Sequence, residues 1–166
     1  MIGTVAIPGK DQQLTYNSVS IEGEQYDTLL SFSILQELIN LTGDNAEIVY
    51  CFPNEFHFCT FDATFIVDGC TIKPKIRSSE EAQKEFDEAT KNGFRAILGE
   101  NIGNGLNPFH LGNLPSGKIV QVLLKVSFLA DINDNSYFFK FPLLSAIKKE
   151  LLQLRIQTYL IHFSFH

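Results

Sequence analysis

Glu55, His57 and Cys59 stand at alternate positions of Glu-Phe-His-Phe-Cys, the one place in the chain where metal-ligating residue types cluster. On an extended strand alternate residues project to one face, so three such side chains would converge on one point. A structural zinc site normally takes four ligands, and the fourth would have to come from elsewhere, with His110 as the candidate. His57, Cys59 and His110 could equally serve a small metal-dependent or Cys/His hydrolase. Neither chemistry has a supporting frame. No Gly-x-Ser-x-Gly elbow occurs, and the cysteines lack a His and Asn context beyond the neighbouring His57. The Gly99–Gly105 stretch is glycine-rich but runs into Leu-Asn-Pro, without the helix N-terminus that lets such loops hold phosphate. The acidic residues gather mostly in 79–92, where a solvated helix face accounts for them. No catalytic, metal-binding or cofactor-binding residue and no cofactor is therefore assigned, and the chain is read as non-enzymatic, with the hydrolase as the alternative.

Composition narrows the class. With 166 residues, 45% of them hydrophobic, the chain can bury the core of one domain. A net charge of -6 with scattered Lys and Arg offers no basic stripe for phosphates, so nucleic acid is not an expected partner. No apolar run approaches the ~20 residues of a membrane span, and the first ten residues lack the basic start of a secretory signal, so a cytoplasmic location is expected. Asn40-Leu41-Thr42 matches a glycosylation sequon that such a location leaves unused. Cys51, Cys59 and Cys70 show no Cys-x-x-Cys spacing and are expected as reduced, buried or half-buried packing residues.

The elements that would position all these groups are mostly strands. Short β-rich runs bounded by Gly, Pro, Asn and Asp predict strands near 14–22, 26–38, 46–52, 57–67, 70–77, 94–99, 108–112, 118–129 and 136–141, although 35–38 suits a helix equally well. Val120, Val122, Leu124, Val126 and Phe128 alternate with polar residues, which gives one buried and one wet face. Asp68-Gly69 predicts a two-residue hairpin turn, and Gly112 to Gly117 reads as a turn. One helix is predicted over about 79–92, opened by Ser78 and Glu81 as a capping box, stopped by Gly93 and anchored through Phe86. The fold class is mainly β: an antiparallel β-sandwich with one α-helix and a possible C-terminal helix.

Four segments carry a family resemblance. They are Ile48-Val49-Tyr50-Cys51-Phe52-Pro53; Ile72-Lys73-Pro74-Lys75 leading to Ala82, Phe86, Ala89, Gly93, Ala96 and Leu98; Phe109 to Val126 with its Gly-Asn-Leu-Pro-Ser-Gly run; and Tyr137 to Pro142. In this order and spacing, over about 19–143, the chain resembles the VIT domain, the module found in von Willebrand A domain-containing proteins and inter-alpha-trypsin inhibitor heavy chains. Gln36 and Asn40 also sit where that family usually has Gln and Asn. The resemblance implies a β-sandwich bearing a helix, no catalytic residues, and an interaction or scaffolding role toward a protein partner or a neighbouring domain.

Two departures qualify it. The Asp-x-Ser-x-Ser loop of a von Willebrand A metal site does not occur in the sequence, so the expected organisation is a VIT-like domain over 1–143 and an atypical tail over 144–166, as in a truncated two-domain protein. In the tail Leu144, Ile147, Leu151 and Leu154 recur at helical spacing, followed by an alternation from Tyr159 to Phe165. Either the tail packs back on the domain or it leaves an apolar patch that self-associates.

Overall fold

The protein is described by a computed structural model, which covers residues 4–6, 14–53, 60–74, 79–94, 96–99, 106–133, 136–139 and 152–159. The strands are β1 (Thr4–Ala6), β2 (Leu14–Tyr26), β3 (Leu29–Asn40), β4 (Ala46–Pro53), β5 (Thr60–Val67) and β6 (Cys70–Ile72). The helix α1 (Ser79–Lys91) follows, and then β7 (Ala96–Gly99), β8 (Leu106–Leu114), β9 (Ile119–Leu129), β10 (Asp131–Asn133), β11 (Ser136–Phe138) and β12 (Leu152–Tyr159). They form a six-stranded sheet in the order β12-β2-β3-β9-β5-β6, a four-stranded sheet β1-β4-β8-β7, and the hairpin β10-β11.

The core lies between the two larger sheets and follows from period-two patterning. In β3, Leu30, Phe32, Ile34, Gln36, Leu38 and Asn40 are all buried, and Val120 to Phe128 of β9 bury the matching positions across the ladder. That alternation over the whole of β3 settles residues 35–38 as strand. From the four-stranded sheet, Tyr50 meets the Phe65 ring edge-on at 6.0 Å and Phe109 meets it at 5.4 Å, which ties the layers together.

Turns fall where residues tolerate positive φ. Asp68 and Gly69 do so, at 51° and 78°, and join β5 to β6 with Val67 opposite Cys70, as the Asp-Gly pair predicts. The β2–β3 connection departs from expectation: the strands run past 22 to Tyr26 and turn at Asp27, φ 53°. Gly23, just past the predicted strand end at 22, is buried inside β2, where a Cβ would come 2.4 Å from Cε1 of Phe32. Its missing side chain admits the Phe32 ring, a use of strand glycine that local composition does not reveal. Cys70, expected to be buried or half-buried, is exposed, because it follows the turn on a three-residue edge strand. Cys59 lies outside the described residues.

The helix ends on a Schellman motif: the Gly93 amide donates to Thr90 O at 3.0 Å and the Phe94 amide to Ala89 O at 2.9 Å, with Gly93 at φ 77°. Ser78 lies outside the described residues. Phe86 is buried, as expected of an anchor, and α1 packs on β7. Residues 112–114 belong to β8 and not to the turn, which tightens to Pro115–Lys118. Gly112 is there because α1 presses on it: a Cβ would lie 2.5 Å from Cγ2 of Thr90 and 3.3 Å from Phe86. Asn113, at φ 56°, donates through Nδ2 to Thr90 O in the last turn of the helix and to Phe94 O just beyond its stop, both at 2.9 Å. Gly112→Ala should push α1 off β8 and cost about 1–3 kcal/mol, seen as a lower urea midpoint; an unchanged midpoint would mean that the helix is not seated there.

The tail differs from its expected form. Leu152–Tyr159 is a strand parallel to β2, with Leu152 opposite Val19 and Tyr159 opposite Tyr26, so Leu154 is not helical. Residues 144–151 and 160–166 lie outside the described residues. Leu152, Leu154 and Ile156 also alternate, and the open edge of β2 selects this second period over the helical one.

Candidate interaction surfaces and polar sites

The residues with the strongest chemical promise do not come together as a described centre. Glu55, His57 and Cys59 lie outside the described residues, as do residues 100–105 of the glycine-rich stretch. His110 sits half-buried in β8 with Nδ1 3.8 Å from a Glu47 carboxylate oxygen of the paired strand β4. Among the described residues there is no group of three or more His, Cys, Asp or Glu that could hold a metal ion.

Three polar sites are organised instead. The Glu37 carboxylate, on the outer face of β3, accepts from Gln121 Nε2 at 2.8 Å, Ser18 Oγ at 2.7 Å and Asn17 Nδ2 at 3.1 Å. These bonds, led by that from Gln121, hold its pKa below the ordinary carboxylate value. A depressed carboxylate contributes stability that is fully present above its unfolded value, near pH 4.3, and is lost as pH falls through the lower folded value. Glu37→Gln should therefore flatten the stability profile in the acid range below about pH 5; a profile unchanged from the parent would remove Glu37 from the acid response.

The second site is inside the core, where the buried Tyr50 hydroxyl donates to Gln36 Oε1 at 2.9 Å. Gln36 Nε2 is buried without a hydrogen-bond partner among the described residues. The third is Asn40, whose Nδ2 donates to Leu114 O at 2.9 Å and Asp44 O at 3.0 Å while Oδ1 accepts from the Thr42 amide and hydroxyl. Its main chain also bonds Gly117 and Lys118. One side chain thus fastens the end of β3, the loop after it and the end of β8.

A shallow groove of about 570 Å³ runs over the outer face of the six-stranded sheet, lined by Glu22, Glu24, Ser31, Ser33, Lys125, Ser127, Arg155 and Gln157 among others. Acidic and basic side chains alternate across it, which gives no focused charge. One patch of exposed apolar side chains lies at one end of the sheet, apart from others at Leu41, Phe94, Ile119 and on β12. Leu29 and Leu129 face each other at the ends of β3 and β9, and Ile132, Tyr137, Phe138 and Phe139 follow on the β10–β11 hairpin. Leu129, Ile132 and Phe138 are 62%, 63% and 53% exposed. Tyr137 is tied back by its hydroxyl to Asp27, and Phe139 packs on Phe32 and Phe128. The hairpin is thereby fixed to the sheet with its apolar side chains outward.

The sequence pattern of the vault protein inter-alpha-trypsin domain matches residues 16–126, from near the start of β2 to within a few residues of the end of β9. The chain belongs to the VIT family. Among similar proteins, a von Willebrand factor A domain-containing protein of Dictyostelium discoideum is 27% identical over 115 residues, 69% of this chain and 12% of that protein. The protein mono-ADP-ribosyltransferase PARP4 of Homo sapiens is 29% identical over 117 residues, 69% of this chain and 7% of that protein. The chain thus spans only a small part of these relatives. The VIT match covers both Gln36 and Asn40, and the two residues singled out by resemblance are the buried hydrogen-bonding residues of β3. Their local sequence alone marks neither as buried. Among the described residues no helix of this VIT module is long and apolar enough to cross a membrane.

Proposed function

We propose that this VIT module is a protein–protein interaction or scaffolding domain, working beside a von Willebrand A type domain and docking through the apolar end formed by Leu129 and the β10–β11 hairpin. The observation that carries the reading is that end itself: large apolar side chains held outward on a hairpin braced by Tyr137 and Phe139. Rigid, exposed aromatic residues are the usual anchors of an interface, because they bury much area with few rotamers to fix. The names of the relatives supply the kind of neighbour, a von Willebrand A domain. A cytoplasmic location forms part of the same proposal.

The test is a titration with a purified von Willebrand A domain, followed by amide NMR. Signals from residues 129–133 and 136–139 should shift selectively, and Phe138→Ser should weaken binding about tenfold or more while leaving the unfolding midpoint in place. No shift in these residues, or equal binding by the variant, would reject the docking surface.

A further inference from the structure

We infer that the edge of β2 is a strand-accepting site, filled in this chain by its own β12 acting as a displaceable latch, and open in trans to an extended segment of a partner protein with apolar residues at alternate positions. The inference rests on reading the module as an interaction domain but uses a different surface from the hairpin end.

The latch is lightly held. β12 pairs with β2 over eight consecutive positions, yet seven of its side chains are exposed, and Leu152 alone is partly buried against the core. Leu154 lies opposite Ile21 and Ile156 opposite Gly23, both core-facing positions, but Leu154 and Ile156 remain 59% and 37% exposed. β12 also pairs in parallel in a sheet whose other ladders are antiparallel, the less stable geometry per residue. Beyond the main-chain ladder its clear side-chain tie is the Tyr159 ring stacked on Tyr26 at 4.6 Å. The outer row sets Arg155 opposite Glu22 in register.

These features describe the ligand. It is an extended segment that runs parallel to β2, with apolar residues at three alternate positions, a basic residue between the second and third, and an aromatic ring three residues after the last. Main-chain pairing along an open strand edge would supply the affinity and the flanking side chains the selectivity. β2 from residue 16 onward lies inside the VIT match, whereas β12 lies beyond it, so the accepting edge belongs to the family pattern and its cover does not.

The probe is a fluorescent peptide of residues 152–159, titrated into the full chain and into the same chain carrying Ile156→Pro, which sets a proline inside β12 and disfavours its pairing with β2. Saturable binding to the variant, with at least about tenfold weaker binding to the parent, is expected. A peptide with Tyr159→Ala should bind the variant several-fold less tightly. If Ile156→Pro keeps its β3 and β9 amides protected and still binds no peptide at about 1 mM, the inference is overturned. If the variant loses that protection, β12 is integral to the fold and the inference is equally overturned. Hydrogen exchange on the parent gives an independent reading: β12 amides should exchange about 100-fold or more faster than those of β3, and exchange only by global unfolding would refute a latch. Phe138→Ser should leave peptide binding unchanged, so a failure of the hairpin end and a failure of the latch can be told apart.

Discussion

Asn40→Asp should lower stability by about 3–5 kcal/mol at pH 7, from a change of a single amide nitrogen to oxygen. In the parent, Nδ2 gives both its hydrogens to carbonyls, Leu114 O and Asp44 O, within a fully buried site. A carboxylate there would face two acceptors without a proton and would be stripped of water. Its pKa would be raised in the folded state, so the deficit is full above that raised value and shrinks as pH falls through it, when the acid can donate one hydrogen bond. Urea unfolding at pH 7 and near pH 5 measures this directly. Equal deficits at both, or none at pH 7, would show that Asn40 does not fasten the three segments it touches.

Phe65→Ala should cost about 3–5 kcal/mol, a large share of the ~5–15 kcal/mol available to a domain of this kind. Phe65 is fully buried and is the ring on which Tyr50 and Phe109 of the opposite sheet converge. Its removal would leave a cavity in the middle of the interlayer contact, where both sheets are committed to their own ladders and neither can readily close the gap. The matched control is Phe94→Ala, 67% exposed beyond the helix stop, for which a change within about 0.5 kcal/mol is expected. Similar losses at both sites would mean that the sheets are not joined through Phe65.

What could be read before the structure followed local rules closely. Period-two alternation placed β9, the Asp68-Gly69 pair placed the β5–β6 turn, and Gly93 placed the helix stop, because each depends on residues adjacent in sequence. The readings that failed depended on a distant partner. The strand predicted over 14–22 stopped short of Gly23, whose purpose is the Phe32 ring nine residues away, and Gly112 looked like part of a turn because its purpose is the Thr90 side chain. The leucines of the tail satisfy two periods, and only the edge of β2 decides between them. Buried polar residues were the least legible. Nothing near Gln36 or Asn40 says that one meets Tyr50 and the other Leu114, and a family resemblance marked the positions without supplying their roles.

The place of β9 in the six-stranded sheet has a consequence for how the chain comes to be folded at all. β9 lies between β3 and β5, and its pairing joins Leu29 to Leu129 and Ile39 to Ile119. A ribosome that has made β2 to β5 has made the flanks of a sheet without its middle. Until Ile119–Leu129 emerges, one edge of β3 and one edge of β5 stay unpaired, with the apolar rows of both exposed. Contacts this far apart in sequence delay ordering, and all-β domains with such topology fold in about milliseconds to seconds. This sheet therefore cannot close before β9 arrives, and until then its open strand edges are free to pair wrongly.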